Sequence, residues 1–144
     1  MEITIDGTRY RTGKLDAFMQ LHVARRVTPL IMAIGKTGAQ MLNASEDDFT
    51  FGAVASVAQA LRDMPQQDVN FVLAACLSVC EREEQGGKWQ RVIAPLPAGW
   101  EFSDHVRPQL VYQDIEMPAM MRLTTTTIQE NLGRFMPGLL GLGA

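Results

Sequence analysis

Two cysteines, two histidines and one Ser-Asp-His run are where this 144-residue chain could do chemistry. Cys76 and Cys80 stand four apart, which puts both thiols on one face if the segment is helical. A zinc site wants four ligands, and a redox pair is more often spaced Cys-x-x-Cys. His22 and His105 would have to reach the thiols from distant segments, and His22 falls on an apolar stripe of its own. Cys76 lies on such a stripe too, so the pair reads as reduced structural thiols. Ser103, Asp104 and His105 are consecutive, whereas a hydrolytic triad needs its three groups to converge from different segments. GKTG at 35–38 has the wording of a phosphate loop but lacks the first glycine at the right spacing, and it sits in a helical pattern. Glu81, Glu83 and Glu84 neighbour Arg82 as on a solvated edge. These residues imply no catalytic centre, no metal site and no cofactor. One enzymatic alternative stays open: a small cytoplasmic enzyme or cofactor-binding domain using His105, Asp104 and Cys80.

The bulk properties favour binding over chemistry. With 47% hydrophobic and 20% charged residues, the chain suits one globular domain with a real core. Its net charge of -3 lacks the basic excess that phosphate neutralisation requires, so no nucleic-acid partner is expected. No stretch approaches the ~20 apolar residues that cross a bilayer. MEITIDGTRY is not a signal peptide, because it has no basic segment followed by an apolar one. No membrane partner is expected, and the cytoplasm is the expected location. The nine methionines are flexible, polarizable side chains of the kind used both as core filler and on surfaces that adapt to partners.

The elements that would carry a binding surface can be read in order. Ile3 and Ile5 alternate with polar residues, Asp6-Gly7 supplies a tight turn and Tyr10 lies on the return, which predicts a β-hairpin over residues 2 to 11. Leu15, Phe18, Met19 and His22 mark an amphipathic helix. Thr28-Pro29 then starts a second helix or kinks the first, with Leu30, Ile34 and Met41 on its apolar face. Ser45 and Asp48 resemble a capping box before a helix carrying Phe51, Val54, Ala55, Ala58 and Leu61. Asp68 is expected to cap the next helix, with the stripe Val69, Val72, Leu73 and Cys76. That helix could run on to Glu84. Alternation through Trp89, Arg91 and Ile93 and the pair Gly86-Gly87 favour a second hairpin instead. A loop follows to Pro108, and a last helix begins near Pro118 with Met121, Ile128, Leu132 and Phe135 on one face. The fold expected is therefore a mainly helical α+β single domain with an N-terminal β-hairpin and a second small hairpin. It spans residues 1–136, with 137–144 as a flexible apolar arm.

Residues 109–136, QLVYQDIEMPAMMRLTTTTIQENLGRFM, carry a further signal. An apolar-aromatic strand leads to Asp-Ile-x-Met-Pro, then to a Met-rich helix, then to Ile-Gln-Glu-Asn-Leu-Gly-x-Phe. Together with CLSVCEREEQGGKWQRV at 76–92, this resembles the tail assembly chaperones of long-tailed bacteriophages and prophages. The layout of a short hairpin followed by helices is similar as well. The run Thr124 to Thr127 departs from the family's pattern, where more aliphatic residues are expected. The resemblance implies a non-enzymatic protein that is absent from the finished particle. It would bind the tape-measure protein, keep it soluble and help bring tail-tube subunits to it. In several members a ribosomal frameshift adds a C-terminal extension.

The resemblance gives the uncharged end FMPGLLGLGA a use. Pro137, Gly138, Gly141 and Gly143 prevent a regular helix, so Leu139, Leu140 and Leu142 would form an arm for a client or for another copy of the chain. With Met120, Met121, Phe135 and Met136, they are the expected partner-binding residues.

Overall fold

Strands β1 (Glu2–Ile5) and β2 (Thr8–Arg11) pair antiparallel, with Glu2 opposite Arg11 and Ile5 opposite Thr8. Asp6 at φ 51° and Gly7 at φ 80° form the connection, and positive φ at both is what a type I′ hairpin turn requires. A lone hairpin is marginal in water, and this one is extended rather than left alone. A computed structural model describes residues 1–28, 62, 64–103 and 105–133, and in it β2 also pairs with β3 (Glu81–Glu83), Tyr10 opposite Arg82. Strand β3 turns back through Gly86 and Gly87 into β4 (Trp89–Arg91). The two expected hairpins are thus halves of one antiparallel sheet in the order β1-β2-β3-β4. The fold is mixed α+β.

The sheet has two chemically different faces because side chains alternate along each strand. Ile5 and Tyr10 are buried on one. On the other, Arg9 reaches Glu2 and Glu83 at 2.6 and 2.8 Å, Arg11 reaches Glu81 at 2.8 Å, and the Arg11 guanidinium lies 4.5 Å from the Trp89 ring centre. These are exposed pairs, each worth no more than about 1 kcal/mol, and their use is to fix register on a solvated face.

Between β2 and β3 the described chain contributes two helices. Residues 17–28 form α1, started by Asp16, whose carboxylate accepts from the Met19 N–H at 2.8 Å. Its buried stripe is Met19, Val23 and Val27, with Leu15 buried just before the helix. The stripe expected from the sequence is therefore rotated: Phe18 is 78% exposed and Leu21 62%. Thr28 is still helical, and its hydroxyl donates to Ala24 O at 2.6 Å, back into the turn that precedes it. The helices expected from Pro29 to Leu61 lie outside the described residues.

Helix α2 (Gln66–Leu77) follows Pro65, which takes the cap position with extended ψ. Asp68 is in its first turn rather than at the cap, and its carboxylate sits 3.3 Å from Arg26 Nε of α1. The helix stops at Leu77 and does not continue to Glu84. Phe71 is its largest fully buried side chain, packed on Trp100 at 5.6 Å between ring centres.

Helix α3 (Met117–Leu132) has Pro118 in its first turn and is buried over most of its circumference. The Thr124–Thr127 run is wholly buried, and three of its hydroxyls are used within the helix. Thr124 donates to Met120 O at 2.9 Å, Thr125 to Arg122 O at 3.2 Å and Thr127 to Leu123 O at 2.8 Å. Bonding back to the preceding turn removes the penalty of burying a hydroxyl and leaves the methyl groups to pack. This is how a helix of low intrinsic propensity stays in the core. Asn131 ties its end to the N-terminal segment, accepting from Leu15 N–H at 2.8 Å and donating to Gly13 O and Thr127 O at 3.1 and 2.8 Å. One apolar cluster joins α1, α2 and the end of α3, and a second joins Ile5, Tyr10, Leu77, Cys80, Val92 and Leu123 under the sheet.

Candidate partner-binding surface

The residues that could do chemistry are kept apart. Cys76 and Cys80 are buried free thiols, and Cys80 Sγ lies 3.3 Å from Cys76 O and 3.4 Å from Thr127 Oγ1. Burial raises the Cys76 thiol well above its ordinary range and pushes Cys80 up to about 11, so neither is a nucleophile near neutral pH. His105 is exposed in the loop before Pro108, and its N–H is held by Ser103 Oγ at 3.0 Å in a local turn. Asp104 and GKTG lie outside the described residues. His22 stands edge-on to Phe71, 6.1 Å between ring centres. Among the described residues no group of three or more His, Cys, Asp or Glu is placed to hold a metal ion. No helix among them is long and apolar enough to cross a membrane.

Two larger clefts, of about 650 and 540 Å³, hold several charged and hydroxyl groups that already satisfy one another. In the first, Arg9 holds Glu83, Arg82 holds Asp114 at 2.8 Å, and Tyr112 donates to Glu84 at 2.5 Å. Burial first, then that bond to Glu84, pushes the Tyr112 hydroxyl up to about 12, while Arg82 holds Asp114 below the usual carboxylate range. In the second, Glu130 takes the Thr12 hydroxyl at 2.5 Å and lies 3.4 Å from the Met1 amine. These networks order the fold around both clefts.

A groove of about 370 Å³ between α2 and the start of α3 has another character. Gln66, Asn70, Leu73 and Leu77 line it from α2, a spacing that places them along one helical stripe. Met120 closes it from α3, and Arg107, Pro108 and Leu110 close it from the loop. That loop is held in place by backbone bonds from Ala94 N to Gln109 O at 2.9 Å and from Val111 N to Val92 O at 2.8 Å. Leu73, Leu110 and Met120 are partly buried and rest on the cluster under the sheet, so the floor is apolar. Met117 lies one turn before Met120 and is 44% exposed.

The residues expected to touch a partner are therefore divided. Met120 lines the groove. Met121, its neighbour, points a further 100° around the helix and is only 5% exposed, so it belongs to the core and not to a surface. Phe135, Met136, Leu139, Leu140 and Leu142 lie outside the described residues. The rest of the groove was not anticipated. Gln66, Asn70, Arg107 and Leu110 meet only through tertiary packing.

Compared with known families, residues 6–141 match the model of the phage tail assembly chaperone protein, TAC. Nothing among the curated proteins or the solved structures matches the chain.

Proposed function

This chain belongs to the phage tail assembly chaperone family, and from that premise we propose that it binds the tape-measure protein in the host cytoplasm without chemistry of its own. In this reading it keeps that long protein from aggregating and helps recruit tail-tube subunits. The family match over residues 6–141 carries the proposal. The groove with Met120 at its edge supports it, because an adaptable thioether over an apolar floor suits a binding surface. Residues 137–144 act as a second contact, with Phe135, Met136, Leu139, Leu140 and Leu142 presented to the client or to another copy. Burying several leucines contributes a few kcal/mol at roughly 25 cal/mol per Å², reduced by the cost of ordering a Gly-rich segment. The net is weak and reversible, as release of a client requires.

Deleting residues 137–144 is expected to shift the melting temperature by only a degree or two and to lower capture of the tape-measure protein by about tenfold, which corresponds to roughly 1.4 kcal/mol. Melting and co-purification of the full and shortened chains measure both. A melt lowered by many degrees would place these residues in the core, and unchanged capture would remove them from the interface.

A further inference from the structure

Most of the described arginines are held by a partner within the fold. Arg9, Arg11, Arg26 and Arg82 each lie within ion-pair distance of a carboxylate, and Arg91 donates to Ser78 O at 2.6 Å. Arg107 is exposed and forms no hydrogen bond or ion pair among the described residues, yet it lines the groove. Among the described residues, no Asp or Glu lines that groove with it. Lining the same groove are the amides of Gln66 and Asn70, which can serve an extended backbone as donors and acceptors. At about 370 Å³ the groove is at the low end of pockets for small ligands, roughly 300–1,000 Å³. It has room for one or two side chains and not for a folded element.

We propose that this groove takes a short segment of a partner protein in which an apolar side chain stands next to a carboxylate. The apolar side chain rests on Leu73, Leu110 and Met120, and the carboxylate pairs with Arg107. A guanidinium offers a planar fork of donors that a carboxylate meets with two bonds, which gives the site a preference in sign and in shape. Met117 is exposed and lies one turn before Met120 on α3. It is outside the lining but on the same side of the helix, where its flexible side chain can reach a segment bound beside Met120. The inference rests on the chaperone reading for its partner, a tail protein, and on the groove alone for its chemistry.

The test uses the full chain labelled with ¹³C at its methionine methyls. The probes are the peptide acetyl-Ala-Leu-Leu-Glu-Ala-amide and the versions with Gln or Lys in place of Glu. The Glu peptide is expected to move the Met117 and Met120 signals and to bind at least threefold more tightly than the Gln peptide. Arg107→Glu, at an exposed position, is expected to keep the wild-type melt and to reverse the order so that the Lys peptide binds best. Equal binding of the three peptides, or no movement of the Met117 and Met120 signals at millimolar peptide, overturns the proposal. A parallel co-purification with the tape-measure protein separates the two readings. Peptide discrimination without capture sinks the chaperone reading and leaves the groove. Capture without peptide discrimination, indifferent to Arg107→Glu, sinks the groove alone.

Discussion

Phe71→Ala is expected to destabilise the protein by about 3–5 kcal/mol, the range for emptying an aromatic site in a packed core. Phe71 is 1% exposed and stands where α1, α2 and the loop before Pro108 meet. Trp100 packs on it at 5.6 Å, His22 meets it edge-on at 6.1 Å, and the Arg26 guanidinium lies 3.9 Å from its ring centre. Truncation removes all three contacts and leaves a cavity that helices on two sides hold open. It also takes the aromatic face away from Arg26, whose other partners are Asp68 and the His22 carbonyl. Phe71→Leu refills most of the space and is expected to cost less than half as much. Urea unfolding checks both: the midpoint should fall while the slope stays constant. A loss below about 1 kcal/mol for Phe71→Ala would mean that the three elements do not close around this ring.

Asn131→Ala is expected to cost about 2–4 kcal/mol for a different reason. The side chain removes little apolar area but satisfies three backbone groups of two segments, Leu15 N–H, Gly13 O and Thr127 O. Asn131 and Leu15 are both buried, so the Leu15 N–H is left without a partner or water. Gly13 adds to the constraint: a Cβ there would come 2.7 Å from Val79 O, so the segment cannot shift freely to find other partners. Hydrogen exchange at Leu15 reads the effect directly. It should quicken by about a hundredfold in the variant, while amides of β2 and β3 change only as global stability does. Equal acceleration everywhere would show that Asn131 supports the core in general rather than the junction with α1.

Local chemistry made some of this structure legible and distance hid the rest. Asp6-Gly7 and Gly86-Gly87 announce their turns because positive φ is written into the residue type. Nothing nearby announces that β2 and β3 pair, since Tyr10 and Arg82 are 72 positions apart and each strand is only three or four residues long. The face of α1 was misjudged because the eight residues from Leu15 to His22 fit more than one stripe. Val23 and Val27 settle the direction, and Phe18 turns outward. Asp68 looked like a cap because caps and first-turn acids share the same residue type, while Pro65 set the boundary. The threonine run departs from the aliphatic residues expected there, and the sequence does not show that its hydroxyls bond to the preceding turn. At the candidate surface Met120 was legible by type alone. Met121 was not separable from it without the helix phase, and Arg107 gave no sign beyond standing before Pro108.

The most direct measurement of the central claim is the soluble yield of the phage's tape-measure protein, expressed alone and together with this chain at equal levels. The account predicts that the tape-measure protein is largely insoluble alone, that co-expression moves most of it into the soluble fraction, and that it then co-purifies with the chain. A soluble fraction that co-expression leaves unchanged, with no tape-measure protein carried through purification, would contradict it.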